Sequence, residues 1–257
     1  MALGLDSEMV KTSLRINPIN NGLSFPLGLK FMLDNTCQYI RESDIVVVAA
    51  EYLSFYEDHY LGNGQYLQQL VWDVDKTKIR LLTFGQIITM AKYIPNLISI
   101  KFKDLNTPNI GEVNMVYHRN AFNEYGDVYS HWDLENREFD EQESINIEKY
   151  NHKAMKKLKE FEETIHKKGA MLFISYPPYQ DISFDLSIES IKKIEEEFIK
   201  QGFTVLGTPE RYRMDNSLMF DSPYHLNRNG TVLRTELLIE DLREAGVGHK
   251  LQSPDHY

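Results

Sequence analysis

The sequence has little of several residue types, and each shortage excludes a class of protein. A single cysteine, Cys37, among 257 residues excludes an intramolecular disulfide framework and a zinc site built on cysteine ligands. Only 14 glycines and 9 prolines exclude collagen-like and low-complexity chains. No apolar run approaches the roughly 20 residues of a membrane-spanning helix, so no stable membrane insertion is expected. Lysine and arginine (28) are outnumbered by aspartate and glutamate (38), and the net charge of −10 argues against nucleic acid as a partner.

What is present is an alternation of strand and helix patterns. Residues 44–50 and 169–175 are short apolar runs rich in β-branched or large side chains, which is typical of strands covered on both faces. Weaker strands are predicted at 203–207 and at 14–19. Helical periodicity predicts helices over about 27–40, 150–168, 187–200 and a last helix that ends near Gly246. Strands that alternate with helices of this length favour βαβ units, a parallel sheet and one α/β domain over residues 1–257.

The stretch from about 55 to 142 breaks this rhythm. It is rich in aromatic residues and contains only short helical pieces, such as residues 85–93. We interpret it as an insertion after a strand, at the sheet edge where α/β proteins bind ligands. A packing lobe with a small core of its own explains the stretch equally well.

The strongest candidate for chemistry is the segment from Phe220 to Asn227, just before the last helix. Here an acid, Asp221, lies four positions before a histidine, His225. A carboxylate can fix the imidazole tautomer and leave its other nitrogen to take a proton from a nucleophile. The alternative is a helix start in which Asn227 caps the backbone and His225 is a partly buried polar residue.

Two further segments are weaker candidates. Gly22 follows Asn20 and Asn21 after the weak strand, where its backbone N–H can point into a cleft, as an oxyanion hole requires. An ordinary Asn-Gly turn explains the same pattern. Ser7 is a possible nucleophile by type, but it begins a predicted helix and is better explained as an exposed cap. No histidine spacing typical of a metal site is present, and no metal or cofactor is expected.

Taken together, these segments resemble the SGNH (GDSL-like) hydrolase superfamily, and within it a bacterial group found in cell-surface polysaccharide contexts. The resemblance extends, in the same order, over nearly the whole chain. The matching stretches are Ala2–Met9, Asn20–Leu23 with Gly28-Leu29, Asp44–Val48 leading into Glu51-Tyr52, Arg119–Asn123 leading into Gly126-Asp127, Ser175–Pro178 and Asp221–Asn227.

The resemblance implies a flavodoxin-like three-layer α/β/α sandwich with its active site at the carboxyl ends of the strands. It also implies a Ser–His–Asp triad in which a serine attacks an ester carbonyl and forms an acyl-enzyme. Asp221 and His225 match the acid and the base, and Gly22 matches an oxyanion-hole glycine. Asn20, Glu51, Tyr52 and Tyr224 are the expected lining of the substrate site.

The sequence departs from the pattern of the superfamily in three ways. The Gly-x-Ser block and the first strand, which would precede Ala2, are absent. A Gly-x-Asn-Asp block is replaced by Ala50-Glu51-Tyr52, and the acid and base are one position further apart than usual. If an inner strand is missing from a sheet, the backbone groups of its neighbours lose their hydrogen-bond partners. Each unpaired group costs about 1–3 kcal/mol of stability. We therefore expect either that this slot is paired again or that the chain is a shortened form.

The expected function is a serine esterase or acyl-transfer protein for O-acylated carbohydrate, inactive as numbered because it lacks the serine block. The alternative is a non-catalytic SGNH-like protein that binds glycan or assists cell-surface polysaccharide acylation. The chain as given is expected to be soluble, and a longer native N-terminus would place it in the cell envelope. The sequence gives no oligomeric state.

Overall fold

The computed structural model describes residues 3–22, 24–95, 99, 116, 118–139 and 144–248. The predicted stretch at 55–142, the segment from Ala2 to Met9 and the segment from Asn20 to Leu23 therefore lie partly outside the described residues. The α-helices whose bounds lie within the described residues are α1 (Ser7–Leu14), α2 (Leu29–Cys37), α3 (Gly64–Gln69), α4 (Phe84–Ala91), α5 (His152–Lys167), α6 (Asp181–Leu186), α7 (Ile188–Lys200) and α8 (Arg228–Glu244). The strands are β1 (Ile45–Val48), β2 (Met171–Ile174), β3 (Tyr179–Gln180), β4 (Arg213–Met214), β5 (Met219–Ser222) and β6 (His225–Leu226).

The protein is a mixed α/β structure in which the described strands form three small two-stranded sheets. β1 and β2 pair in parallel with Val46 opposite Leu172, and β3 pairs in parallel with β4. β5 and β6 form an antiparallel hairpin. The apolar runs that predict β1 and β2 form a ladder that helices cover on both faces, as continuous apolar strands require.

Alternate side chains of the β1–β2 ladder enter two different cores. Val46 and Leu172 join the main core, which the apolar faces of α2, α5 and α7 complete. Val47 and Phe173 point the other way, to a second core formed with α1 and α8. The period of two along the strands thus separates the two groups of helices.

Two predicted strands do not form as expected. The prediction of a strand at 14–19 is wrong, because α1 continues to Leu14 and the residues that follow are irregular. Residues 203–207 contribute only a single parallel bridge, between Ile174 and Val205. A strand is stabilised by its neighbour, and among the described strands β1 pairs only with β2. Residues 15–19 take part in no described ladder, so nothing holds them as a strand.

The helix predictions for 27–40, 85–93, 150–168, 187–200 and the C-terminal segment agree with the observed helices to within a few residues at each end. Polar caps determine several starts: Asn151 and Asn227 accept backbone N–H groups at the starts of α5 and α8. Part of the aromatic-rich stretch, around α3 and α4, has a small core of its own. No helix in the described part of the chain has the length and apolarity to cross a membrane.

Candidate functional site

The β5–β6 hairpin brings the predicted acid and the predicted base together. Ser222 lies opposite His225 in the hairpin, and the two-residue connection reverses the chain between them. The Nδ1 atom of His225 lies 2.8 Å from Oδ1 of Asp221. Asn227 also caps α8, accepting the N–H of Gly230 at 3.0 Å, as the alternative interpretation predicts, and the partial burial of His225 agrees with both interpretations.

The pair is placed where proton transfer is possible. The side chain of Asp221 is 11% exposed and that of His225 is 25% exposed. An ionised carboxylate only accepts hydrogen bonds, so in the neutral imidazole the proton is on Nδ1 and the lone pair is on Nε2. A base oriented in this way by a carboxylate can remove a proton from a hydroxyl.

Two residues that the sequence did not single out frame this pair. The Nε2 atom of His131 donates to the carbonyl of Leu226, the residue after His225, at 2.9 Å. The backbone N–H of Arg137 donates to the carbonyl of Phe220 at 2.7 Å, and its guanidinium lies 3.9 Å from Oδ2 of Asp221. Burial lowers the pKa of His131, which is fully buried, so its neutral form is favoured.

The N-terminal segment lies along the same hairpin. The carbonyl of Leu3 accepts the N–H of Leu226 at 3.2 Å, and the Leu3 side chain shares a small apolar cluster with Phe220. Ser7, expected as an exposed cap, is instead fully buried, and Asp6 is the residue that caps α1. The prediction of exposure was wrong because the Ser7 hydroxyl donates to the buried carboxylate of Asp127 at 2.9 Å.

Asn20 and Gly22 belong to the network around Asp127. The side-chain amide of Asn20 donates to Oδ1 of Asp127 at 2.8 Å, and its carbonyl oxygen accepts the N–H of Gly22 at 3.1 Å. The backbone N–H that an oxyanion hole would use is therefore bonded within the turn. A local bond from a backbone N–H to a side chain agrees with the alternative that this segment only turns the chain.

The predicted lining residues Tyr52 and Tyr224 are part of the core. They are 1% and 4% exposed, and both contact the ring of Tyr179, Tyr52 edge-on at 5.4 Å and Tyr224 stacked at 4.5 Å. Both rings are almost fully buried because large rings gain more by packing together than by facing water, and their role as lining of a substrate site stays a prediction. Glu51 is half-buried just before a short 3-10 turn, Tyr52–Phe55.

His131, Arg137 and Asp127 are the residues that sequence reasoning missed. All three come from residues 118–139, which are more than 80 positions away from the hairpin. The spacing of His131 from the other histidines indicates no functional site, and no local sequence pattern distinguishes Arg137. Asp127 was part of a stretch that resembles the superfamily, and that resemblance was the only signal for it. Only tertiary contacts identify the other two.

Among the described residues, no group of three or more histidine, cysteine, aspartate or glutamate side chains is arranged to hold a metal ion. Comparison with protein-family models, with curated proteins and with solved structures finds no match for this chain. The resemblance to SGNH hydrolases therefore stays a prediction that rests on residues in the sequence.

Proposed function

We propose that this chain carries the acid–base pair of an SGNH-type ester hydrolase or acyl transferase that acts on O-acylated carbohydrate. The observation that supports this proposal is the 2.8 Å contact between Nδ1 of His225 and the carboxylate of Asp221, in a hairpin that leaves the imidazole partly exposed. We extend the proposal to the fold: the β1–β2 ladder, with helices on both faces, belongs to a flavodoxin-like three-layer sandwich.

The proposed step is a balanced proton transfer. Nε2 of His225 takes the proton of an attacking hydroxyl as its oxygen bonds to the ester carbonyl carbon. The imidazolium, held by Asp221, then returns the proton to the departing alcohol as the ester C–O bond breaks. Because the sequence given has no Gly-x-Ser block, the hydroxyl in this proposal belongs to water or to an acceptor sugar, and turnover by this chain is expected to be low. Ser7 is not this nucleophile in the proposal, because its hydroxyl is committed to Asp127.

The test is the hydrolysis of p-nitrophenyl acetate and of acetylated xylan by the full chain. We expect His225→Gln to lower kcat/KM by about 10² to 10⁴-fold, the usual contribution of a general base. His166→Gln is the matched control, since His166 is an exposed histidine in the last turn of α5. Turnover that His225→Gln leaves unchanged in a folded protein would refute the proposal.

A second function is favoured by one specific observation. The N–H of Gly22 is bonded to Asn20, and the sequence Ala50-Glu51-Tyr52 supplies no side-chain amide donor where the superfamily pattern has one. A site without oxyanion donors stabilises a tetrahedral intermediate poorly. The alternative proposal is a non-catalytic glycan-binding or accessory protein. Binding of acetylated xylan without turnover, equally strong in wild type and in His225→Gln, is its expected result.

A further inference from the structure

A second site lies outside the hairpin, in a cleft of about 270 Å³ between α2 and the N-terminal half of α5. Four lysines line it: Lys30 from α2, and Lys153, Lys156 and Lys157 from α5. The side chains of Tyr60 and Glu160 also line it. None of the residues of the Asp221–His225 pair and its frame takes part.

The cleft is positive in a protein that is negative as a whole. Its four ammonium groups face two carboxylates, Glu160 in the wall and Asp34 behind it, whereas the whole chain carries a net charge of −10. Lys156 is 3.9 Å from Glu160, a loose contact for a side chain that is 78% exposed. Lysines that line one cleft repel one another, and a bound anion reduces that repulsion.

Two of the lysines are held in place before any ligand arrives. Asp34 lies 2.8 Å from Nζ of Lys30 and 2.6 Å from Nζ of Lys157, and Lys30 also donates to the carbonyl of Leu81. Each ammonium has three N–H donors, so one donor of Lys30 remains after these two bonds. Fixing the donors in advance lowers the entropic cost of binding.

The two other lysines lie in the first turns of α5, at the positive end of a 16-residue helix. α5 leads directly into β2, so its N-terminus points towards the carboxyl end of that strand. Ligands of parallel α/β sheets bind at this end.

The wall of the cleft also contains an uncharged aromatic residue, Tyr60. Tyr60 is 9% exposed, and burial, with Asp58 nearby, raises the pKa of its phenol, so the ring stays neutral. Only a small part of the Tyr60 side chain reaches the cleft, where it adds a neutral surface beside the cationic donors that can bond an acidic group. The volume is near that of a single small ligand rather than of a protein segment.

We propose that this cleft binds an acidic sugar unit of a carbohydrate polymer, with its carboxylate or phosphate group on the lysines. The inference rests on the proposed function for its carbohydrate class. Its test measures binding and not turnover, so the failure of one is distinguishable from the failure of the other.

The experiment is calorimetric titration of the full chain with trigalacturonate, which carries carboxylates, and with glucose 6-phosphate, which carries a phosphate. Galactotriose, glucose and inorganic phosphate are titrated alongside. We expect at least one acidic sugar to bind and neither neutral sugar to do so. We also expect the affinity for the acidic sugar to exceed that for phosphate alone and to fall as NaCl is raised.

Two double variants distinguish binding in this cleft from a general effect of positive charge on the protein. Lys153→Gln/Lys156→Gln removes two cleft lysines and is expected to weaken binding about tenfold or more. Lys192→Gln/Lys200→Gln removes the same charge from exposed positions on α7 and is expected to change nothing. Equal weakening in both variants, binding of phosphate as tight as that of the sugar phosphate, or no binding of either acidic sugar would overturn the inference.

Discussion

Two histidines bond to residues of the β5–β6 hairpin through different ring nitrogens, and this difference separates what they can do. His225 presents Nδ1 to a carboxylate and keeps a quarter of its side chain exposed. His131 presents Nε2 to the carbonyl of Leu226 and is fully buried. A buried imidazole whose only described partner is a carbonyl can position a strand, whereas an exposed one paired with a carboxylate can exchange protons with a ligand.

The first prediction concerns the hydrogen bond between Asp221 and His225. Asp221→Asn replaces a carboxylate with a neutral amide, so the charge-assisted bond to Nδ1 is lost. We expect a low-field imidazole N–H proton in the NMR spectrum of the wild type and its loss in this variant, as in His225→Gln. Any ester turnover should fall by about 10²-fold or more. A low-field signal that persists in both variants would show that it arises elsewhere.

The second prediction concerns the pH dependence that His131 contributes. Burial lowers its pKa in the folded state, so the unfolded chain binds this proton more readily than the folded one. The stability that His131 contributes is therefore complete above the unfolded pKa of about 6.5 and is lost as pH falls towards the folded pKa. Asp221 and His225 face this ring with opposite effects on its pKa, Asp221 raising it and His225 lowering it.

The variant His131→Gln tests the contribution of His131 to the pH dependence of stability, because glutamine can donate to the Leu226 carbonyl but does not titrate. Urea unfolding at pH 7.5 and pH 5.5 should show wild type losing more stability than His131→Gln over this range. His166→Gln, which removes an exposed histidine, should follow the wild type. Identical pH slopes in wild type and His131→Gln would contradict the assignment.

At the scale of single residues, the sequence predicted the Asp221–His225 pair but not the residues that surround it. Asp221 and His225 are four positions apart, so a local pattern can reveal them. His131, Arg137 and Asp127 reach the hairpin or the N-terminal segment only through contacts between residues far apart in the chain. Tyr52 and Tyr224 were expected to line a site, but composition alone does not distinguish a ring that packs in a core from one that meets a ligand.

At the scale of elements, the buried carboxylate of Asp127 joins α1 to residues 118–139. It accepts the N–H of Ser7 at 2.8 Å, the Ser7 hydroxyl at 2.9 Å and the amide of Asn20 at 2.8 Å. A buried carboxylate is tolerated only when its oxygens are satisfied in this way. α1 in turn positions Leu3 beside β6, so this junction supports the hairpin from a distance.

The third prediction follows from that junction. Asp127→Asn replaces one acceptor oxygen with an NH₂ group that faces the N–H and O–H donors around it. We expect a loss of about 3–5 kcal/mol in the free energy of unfolding. Ser7→Ala removes a single donor and should cost about 1–2 kcal/mol. Urea denaturation measures both values. Equal losses for the two variants would show that the carboxylate is not the centre of the network.

The fourth prediction concerns Gly126, which has a φ of 90° and lies against the backbone of Asn20. A Cβ there would approach the carbonyl oxygen of Asn20 to 2.3 Å, so Gly126→Ala adds a clash to the strain of a positive φ. Gly202 has a φ of 71° with open space around it, so Gly202→Ala measures the strain alone. We expect about 1–2 kcal/mol for Gly202→Ala and a clearly larger loss for Gly126→Ala.

Thermal and urea unfolding of both alanine variants provide the comparison. A loss for Gly126→Ala no larger than that for Gly202→Ala would show that the turn at Asn20 moves away without cost.

The elements themselves were predictable where their patterns are strong. The β-branched run at 44–50 and the helical periodicities at 150–168 and 187–200 encode burial on defined faces, and these elements formed. The run at 14–19 failed because a strand depends on its neighbours in the sheet, which a local pattern does not include. The same dependence reduces 203–207 to one bridge at Val205.

At the scale of the whole molecule, α2 joins two cores. Leu29 and Leu33 face the main core with β1, α5 and α7, whereas Phe31 faces the small core around α3 and α4. The part of the aromatic-rich stretch around α3 and α4 is therefore attached to the main core in part through one helix with two apolar faces. Tyr56 and Tyr60, at the start of this stretch, belong to the main core.

The fifth prediction uses the two faces of α2. Leu33→Ala and Phe31→Ala both truncate side chains that are less than 5% exposed, and each should cost about 2–5 kcal/mol locally. Because the small core has few members, its loss should open α3 and α4 without unfolding α5. Hydrogen exchange read by mass spectrometry should therefore show Phe31→Ala speeding exchange in α3 and α4, and Leu33→Ala speeding it in α5 and α7 as well. If Phe31→Ala accelerates exchange in α5 as much as Leu33→Ala does, the two cores unfold as one, and the stretch around α3 and α4 is an integral part of the domain rather than an attached lobe.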